Sequence, residues 1–172
     1  MRVLATFDAS AFGEAVLPSL ELIAQAPGAD ITLLSVVKPP QPTPQRPHTV
    51  PELRAIAAGG GAVLVEGSPP AFAEDRSEAT ARAIDERSDY LRALALRLPA
   101  RAHTKTMVLV DPAPGSAIIR YAMQHRPDVI VMGTHGQSGI VHRLFGDVAE
   151  EVVRSGVAPV LLVHPDAVRH RP

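Results

Sequence analysis

The chain has 172 residues, no cysteine, and 17 Lys plus Arg against 18 Asp plus Glu, for a formal charge of −1. That length suits one compact domain with a proper core, and the lack of cysteine excludes disulfides, thiolate nucleophiles and zinc–thiolate sites. Near-neutral charge and only 3% aromatic residues leave neither the basic footprint nor the stacking surface expected of a nucleic-acid or anionic-membrane binder.

The amino-terminal stretch MRVLATFD is cut by Asp8 too early for a signal-peptide apolar core. The longest apolar stretch, AIAAGGGAVLV at 55–65, is short and broken by glycine, so no membrane span is expected and a cytoplasmic location is the default expectation. Residues 2–7, RVLATF, lack polar alternation and read as a strand buried on both faces. A helix is expected from about Ala11 to Gln25, with Ser10 as its N-cap. Pro18 inside it removes one backbone bond and is expected to bend it. DITLLSVV at 30–37 is the second strand.

Between 38 and 72 the pattern breaks. PPQPTPQRPHTVP (39–51) is too rich in proline for a strand or helix, and GGG at 59–61 continues the irregularity. This insert is longer than most loops in compact domains. It reads either as a surface excursion or as a lid or partner-binding flap. Helical periodicity returns over 73–98, with Ile84, Leu91, Leu94 and Leu98 as the buried stripe and Pro99 as the stop. A third strand is expected near 104–110, a helix from about Ser116 to His125 ended by Pro127, and a fourth strand at 128–133. A last helix is expected at about 147–155 and a last strand, PVLLVH, at 159–164.

This order implies an α/β fold in a single domain, 1–172: a five-stranded parallel sheet in the order 3-2-1-4-5 with helices on both faces. Ligands of such sheets bind beyond the carboxyl ends of the strands, where the winding reverses. Asp8, ending strand 1, and Gly133, ending strand 4, are expected to flank that crevice.

The segment GTHGQSGIVHRLFGDV (133–148) follows strand 4. Gly133, Gly136, Gly139 and Gly146 permit positive φ and close backbone approach. The helix beginning after Gly146 points unpaired amides at the same place, which favours an anion. The loop is thus a candidate phosphate cradle, or else a turn that needs left-handed residues. A Walker-type loop, a GxGxxG fingerprint running into a helix, HExxH and GxSxG are all missing. His135, His142 and His164 are scattered and read as loop or surface residues.

The spacing G-x2-G-x9-G at Gly133, Gly136 and Gly146, with DVIVMGTHGQSG before it and VAPVLLVHP after it, resembles the universal stress protein family. VLATFDAS resembles that family's first strand with its Asp. The resemblance covers the chain except 38–72. It implies a Rossmann-like, adenine nucleotide alpha hydrolase-like fold and a stress-response module that binds ATP or AMP, with Mg or Mn only in company with the nucleotide. By position, it implies that Asp8, with Thr6 near it, contacts adenosine and that Val36 contacts adenine. Met132, Gly133 and Gly136 would surround the ribose and α-phosphate, and Gly146 with Val148 would hold the outer phosphates. It also implies a homodimer through the last strand, for which an apolar open edge at 159–164 is suited.

Two positions depart from the family pattern. Asp147 stands where Ser or Thr is usual, and Gln137 where Arg is usual. Two unit charges about 4 Å apart interact by roughly 4 kcal/mol at an effective dielectric near 20, on the order of three decades in affinity. An Asp N-cap contributes about 1 kcal/mol, so Asp147 is expected to cap the helix by taking the anion's place. A divalent ion, Arg143, or an AMP-like ligand with fewer phosphates would relieve the clash. Three functions stay open. One is a nucleotide-responsive module acting by binding and dimerisation. Another is a slow ATP hydrolase, for which Asp147 is the one base in view. The third is an interaction module without nucleotide, working through 38–72.

Overall fold

The structure is a computed structural model, and it describes residues 1–10, 13–39, 76–134 and 146–164. The expectations for most of the insert, and for His135, Gly136, Gln137, Gly139, His142 and Arg143, lie outside the described residues. The elements in chain order are β1 (Arg2–Phe7), a 3-10 turn (Gly13–Val16), α1 (Leu17–Ile23), β2 (Asp30–Val37) and α2 (Arg76–Ala95). They continue with β3 (His103–Val110), α3 (Pro114–His125), β4 (Val129–Gly133), α4 (Asp147–Ser155) and β5 (Val160–Val163).

The five strands form one sheet in the order β3-β2-β1-β4-β5, every neighbouring pair parallel. β1 lies at its centre, which explains why five of its six residues are buried and why its apolar run has no alternation. Val3, Ala5 and Phe7 face one side and pack with Leu17 and Leu20 of α1 and with Leu91 and Leu94 of α2. Leu4 faces the other side and joins Ile118 and Ala122 of α3 and Ala149 and Val152 of α4. Edge strand β3 has no fully buried residue. Among the described residues, no helix is long and apolar enough to cross a membrane.

The helix expected over 11–25 departs from expectation. It begins as a 3-10 turn at Gly13 and becomes α-helical only from Leu17, so Pro18 falls in its first turn. There the missing N–H has no intrahelical acceptor to lose, and Pro18 starts the helix instead of bending it. α3 likewise opens on Pro114, and it ends in a left-handed Arg126 (φ 47°) ahead of Pro127.

Candidate functional site

Parallel pairing brings the carboxyl ends of β2, β1 and β4 to one level. β1 pairs with β4 at Val3↔Val129, Leu4↔Ile130 and Ala5↔Val131; carried two residues further, that register sets Phe7 beside Gly133. On the other side Thr6 pairs with Leu34 and Phe7 with Ser35, so Asp8 and Val36 are each one step beyond. The buried Ser35 hydroxyl donates to the Phe7 carbonyl at 2.6 Å and ties these two strand ends together. Thr6, Asp8, Val36, Met132 and Gly133 therefore converge at the switch point. Met132 is buried in the core facing α3 and α4, and Val36 packs against the same cluster.

Asp8 is held by its own turn. Its Oδ1 accepts from the Ser10 backbone N–H at 3.0 Å and from the Ser10 hydroxyl at 2.6 Å. Ser10 Oγ in turn accepts from the Gly13 N–H at 3.0 Å, which caps the 3-10 turn as a serine N-cap does. Between them Ala9 has φ 59°, a left-handed conformation that costs a non-glycine residue roughly 1–2 kcal/mol. The chain bends at that residue.

On the β4 side, Thr134 joins three elements. Its N–H donates to the Val163 carbonyl at 3.0 Å, and its carbonyl accepts from the Gly146 N–H at 2.7 Å. The start of α4 is thereby pinned to the ends of β4 and β5. The helical ladder opens with Glu150 N–H to Gly146 C=O at 3.0 Å, so the amides of residues 147–149 precede its first rung. Ser116 at the start of α3 donates to Glu151 Oε1 at 2.7 Å, which ties α4 to α3 from the other face.

Two expectations about this helix start are corrected. Asp147 is not the N-cap. Gly146 is (φ −69°, ψ 155°), with no side-chain cap, and the exposed Asp147 is the first helical residue. Its carboxylate meets the positive end of the helix from outside the capping position, and Glu150 adds a second acidic group to the first turn. Nor do Gly133 and Gly146 use positive φ. Gly133 is a strand residue paired with Val163, and the described left-handed glycines are Gly28 and Gly156. What Gly133 and Gly146 contribute is backbone without side-chain bulk.

Sequence reasoning passed over Gly13 and Thr134. Asp8–Ser10–Gly13 carries a spacing that could have been read as a carboxylate locked by a serine cap. Thr134 carries no such signal, since its role is made of backbone contacts distant in sequence.

A family model described as the universal stress protein family matches residues 1–164. The "Universal stress protein in QAH/OAS sulfhydrylase 3'region" of Thermus aquaticus is 30% identical over 122 residues, covering 69% of this chain and 88% of that protein. Universal stress protein MJ0531 of Methanocaldococcus jannaschii is 36% identical over 63 residues, 37% of this chain and only 35% of the relative's length. Among solved structures, the MJ0577 protein superposes with a TM-score of 0.69 at 20% identity, covering 95% of this chain and 94% of the other. A universal stress protein in complex with cAMP gives 0.55 at 20% identity (96% and 97% covered), and an Arabidopsis thaliana family member with AMP bound gives 0.50 at 14% (99% and 95%). At these identities the structural likeness is one of fold. Together with the family match over 1–164 and the Thermus relative, it identifies the chain as a member of the universal stress protein family.

Proposed function

We propose that this chain is an adenine-nucleotide-responsive module of the stress response, a single domain that acts by binding and dimerisation without turnover. The observation that carries the reading is the start of α4. Thr134 holds it at the end of β4, so that helix amides precede the first rung beside the strand end bearing Asp8. Thr6 and Asp8 would meet the adenosine, Val36 the adenine, and Met132, Gly133 and Gly136 the ribose and first phosphate. Gly146 and Val148 would frame the phosphates, with Asp147 at their edge. Relatives of this fold solved with cAMP and with AMP support a nucleoside monophosphate as the first ligand to try; ATP would bring Mg or Mn with it. The Gly146 N–H is committed to Thr134, so an anion would meet the amides that follow it, Val148 and Ala149 among them.

Dimerisation is proposed through β5, the sheet edge, whose Leu161 is 41% exposed. A cytoplasmic location goes with this reading. Isothermal titration with ATP, ADP and AMP, with and without Mg or Mn, tests the nucleotide reading: micromolar uptake of at least one is expected, and no heat from any removes it.

One observation favours a second reading, an interaction module of the same fold that binds no nucleotide. Asp147 and Glu150 both lie in the first turn of α4 and oppose an incoming polyphosphate. Under it, deletion of 41–68 abolishes partner recovery in pull-downs while folding is kept; unchanged partners count against it.

A further inference from the structure

β3 closes the sheet opposite β5, with β2 on its inner side and no described strand on its outer side. The His103 N–H donates to the Ala29 carbonyl and the Asp111 N–H to the Val37 carbonyl, so the odd-numbered residues turn their peptide groups inward to β2. Alternate residues of a strand point opposite ways. The N–H and C=O of Thr104, Thr106, Val108 and Val110 therefore point outward, and such a row is a template for another strand. Among the described residues, the exposed large apolar side chains on strands are Leu161 of β5 and Met107 and Val110 of β3.

The two faces of β3 differ. Val108 packs against the core shared with α2, and Leu109 against the core shared with α3. On the Leu109 face His103, Lys105 and Met107 are all exposed. Charge is divided along that face. His103 and Lys105, beside Asp30, lie at the start of the strand, and Asp111, beside Arg120, follows its end. A cavity of about 190 Å³ adjoins the acidic end, between Leu109 and the α3 residues Ala117, Tyr121 and Gln124.

An antiparallel strand with the same division of charge brings basic start to acidic end, whereas a parallel one sets like against like. A second copy of β3 has that division. With a twofold axis at Met107, Thr104 faces Val110 and Thr106 faces Val108, so every outward peptide group is paired. An axis at Thr106 would set Val110 against Ala102, whose N–H is held by the Pro99 carbonyl. One at Val108 would set Thr104 against Pro112, which has no N–H. On the bare face the Met107 register puts Met107 against Met107, Lys105 against Leu109 and His103 against Asp111. The Lys105 stem of the second copy then lies over Leu109 beside the cavity, with its ammonium toward Asp111. We propose that the β3 edge is a second self-association surface, at which two copies pair antiparallel about Met107 into one continuous sheet. This is independent of the nucleotide reading. His103 and Lys105 blunt the edge, so the pairing is weaker than that through β5 and needs a higher protein concentration.

The test is sedimentation of the full chain in a Leu161→Lys background, which charges β5. From micromolar to near-millimolar concentration that chain should pass reversibly from monomer to dimer. Met107 is exposed, so Met107→Lys and Met107→Glu should both fold. Each, added to Leu161→Lys, should weaken the dimer by about tenfold or more, because like charges meet at the axis. An equal mixture of the two should restore it, since lysine then faces glutamate. A Leu161→Lys chain that stays monomeric at near-millimolar concentration overturns the proposal, as does an unweakened dimer with Met107→Lys. Weakening without rescue in the mixture places residue 107 away from the axis and overturns the register. A Leu161→Lys dimer already complete at micromolar concentration removes β5 as the interface, and the two Met107 variants then decide alone whether β3 holds it.

Discussion

A Cβ atom on Gly13 would stand 2.7 Å from Oδ1 of Asp8. That oxygen is already held twice by Ser10, so it cannot step aside without breaking the turn. The glycine is required by the carboxylate, not by its own backbone angles. Gly13→Ala should therefore lower stability by about 1–3 kcal/mol, the usual range for overpacking a fitted site, and should move Asp8 out of place. The expected readings are a lower urea midpoint and at least tenfold weaker AMP binding by calorimetry. An alanine variant as stable as the wild type, with equal affinity, would show that the contact relaxes freely.

Asp147→Ser separates two effects of one carboxylate. Because Asp147 is exposed at the first helical position, its repulsion of a phosphate is screened, and about 1 kcal/mol at about 4 Å in water is a better measure than the low-dielectric figure. ATP affinity should rise by roughly five- to tenfold, with a smaller gain for AMP. Stability should fall by about 0.3–1 kcal/mol, since an anion is lost from the positive end of the helix. Parallel titration and urea unfolding check the opposed signs. No gain in ATP affinity would mean that the obstacle lies elsewhere in the crevice.

Acid should weaken the fold at identifiable carboxylates. Asp30 is held below its ordinary value of 3.8, first by its hydrogen bond with His103 (Nδ1–Oδ1, 3.1 Å) and further by the Lys105 ammonium. Asp128 is held below it by the Arg2 backbone N–H at 2.7 Å. A depressed folded pKa gives stability that is present above the unfolded value and lost as pH falls through the folded one. The urea midpoint should thus drop below about pH 4, and Asp128→Asn should flatten that drop. An unchanged acid limb in the variant would contradict the assignment.

Alkali works in the opposite sense at Tyr90. Its phenol is raised from 10.0 to about 12, and burial raises Tyr121 as well. A raised pKa gives stability that is full below the unfolded value and lost as pH rises through the folded one. After a jump to about pH 11, the Tyr90 tyrosinate absorbance, isolated in a Tyr121→Phe background, should appear mostly at the rate of unfolding. Complete ionisation in the dead time would show that the Tyr90 phenol is open to solvent.

Leu161→Lys tests the sheet edge. Leu161 of edge strand β5 is 41% exposed, so a lysine there should leave the chain folded while charging the edge. Sedimentation should report a dimer for the wild type and a monomer for the variant; identical sedimentation of the two would remove β5 as the interface.

The residues differ in how openly they announce their roles. β1 over 2–7, β2 over 30–37 and α4 over 147–155 match expectation in extent, because an unbroken apolar run or a clear period is a local signal. The strand order follows from chain order and crossover handedness. The 3-10 turn at Gly13–Val16 was hidden, since the Asp8–Ser10–Gly13 bonds that shape it are side-chain contacts and not periodicity. Asp147 was misread by one position because Ncap and N1 differ only in backbone angles. Tyr90 sits in a helix whose charged residues read as an outer face, and its edge-on contact with Phe7 is made across a long stretch of sequence that periodicity does not span.

Mapping amide shifts on addition of AMP in a heteronuclear NMR titration tests the central claim most directly. The proposal that the ends of β1 and β4 and the start of α4 form one nucleotide site predicts shifts clustered at Thr6, Asp8, Gly133, Thr134, Val148 and Ala149. His103 and Lys105, at the start of edge strand β3, should stay still. Shifts confined to the amino ends of the strands, or none at saturating AMP and ATP, would contradict it.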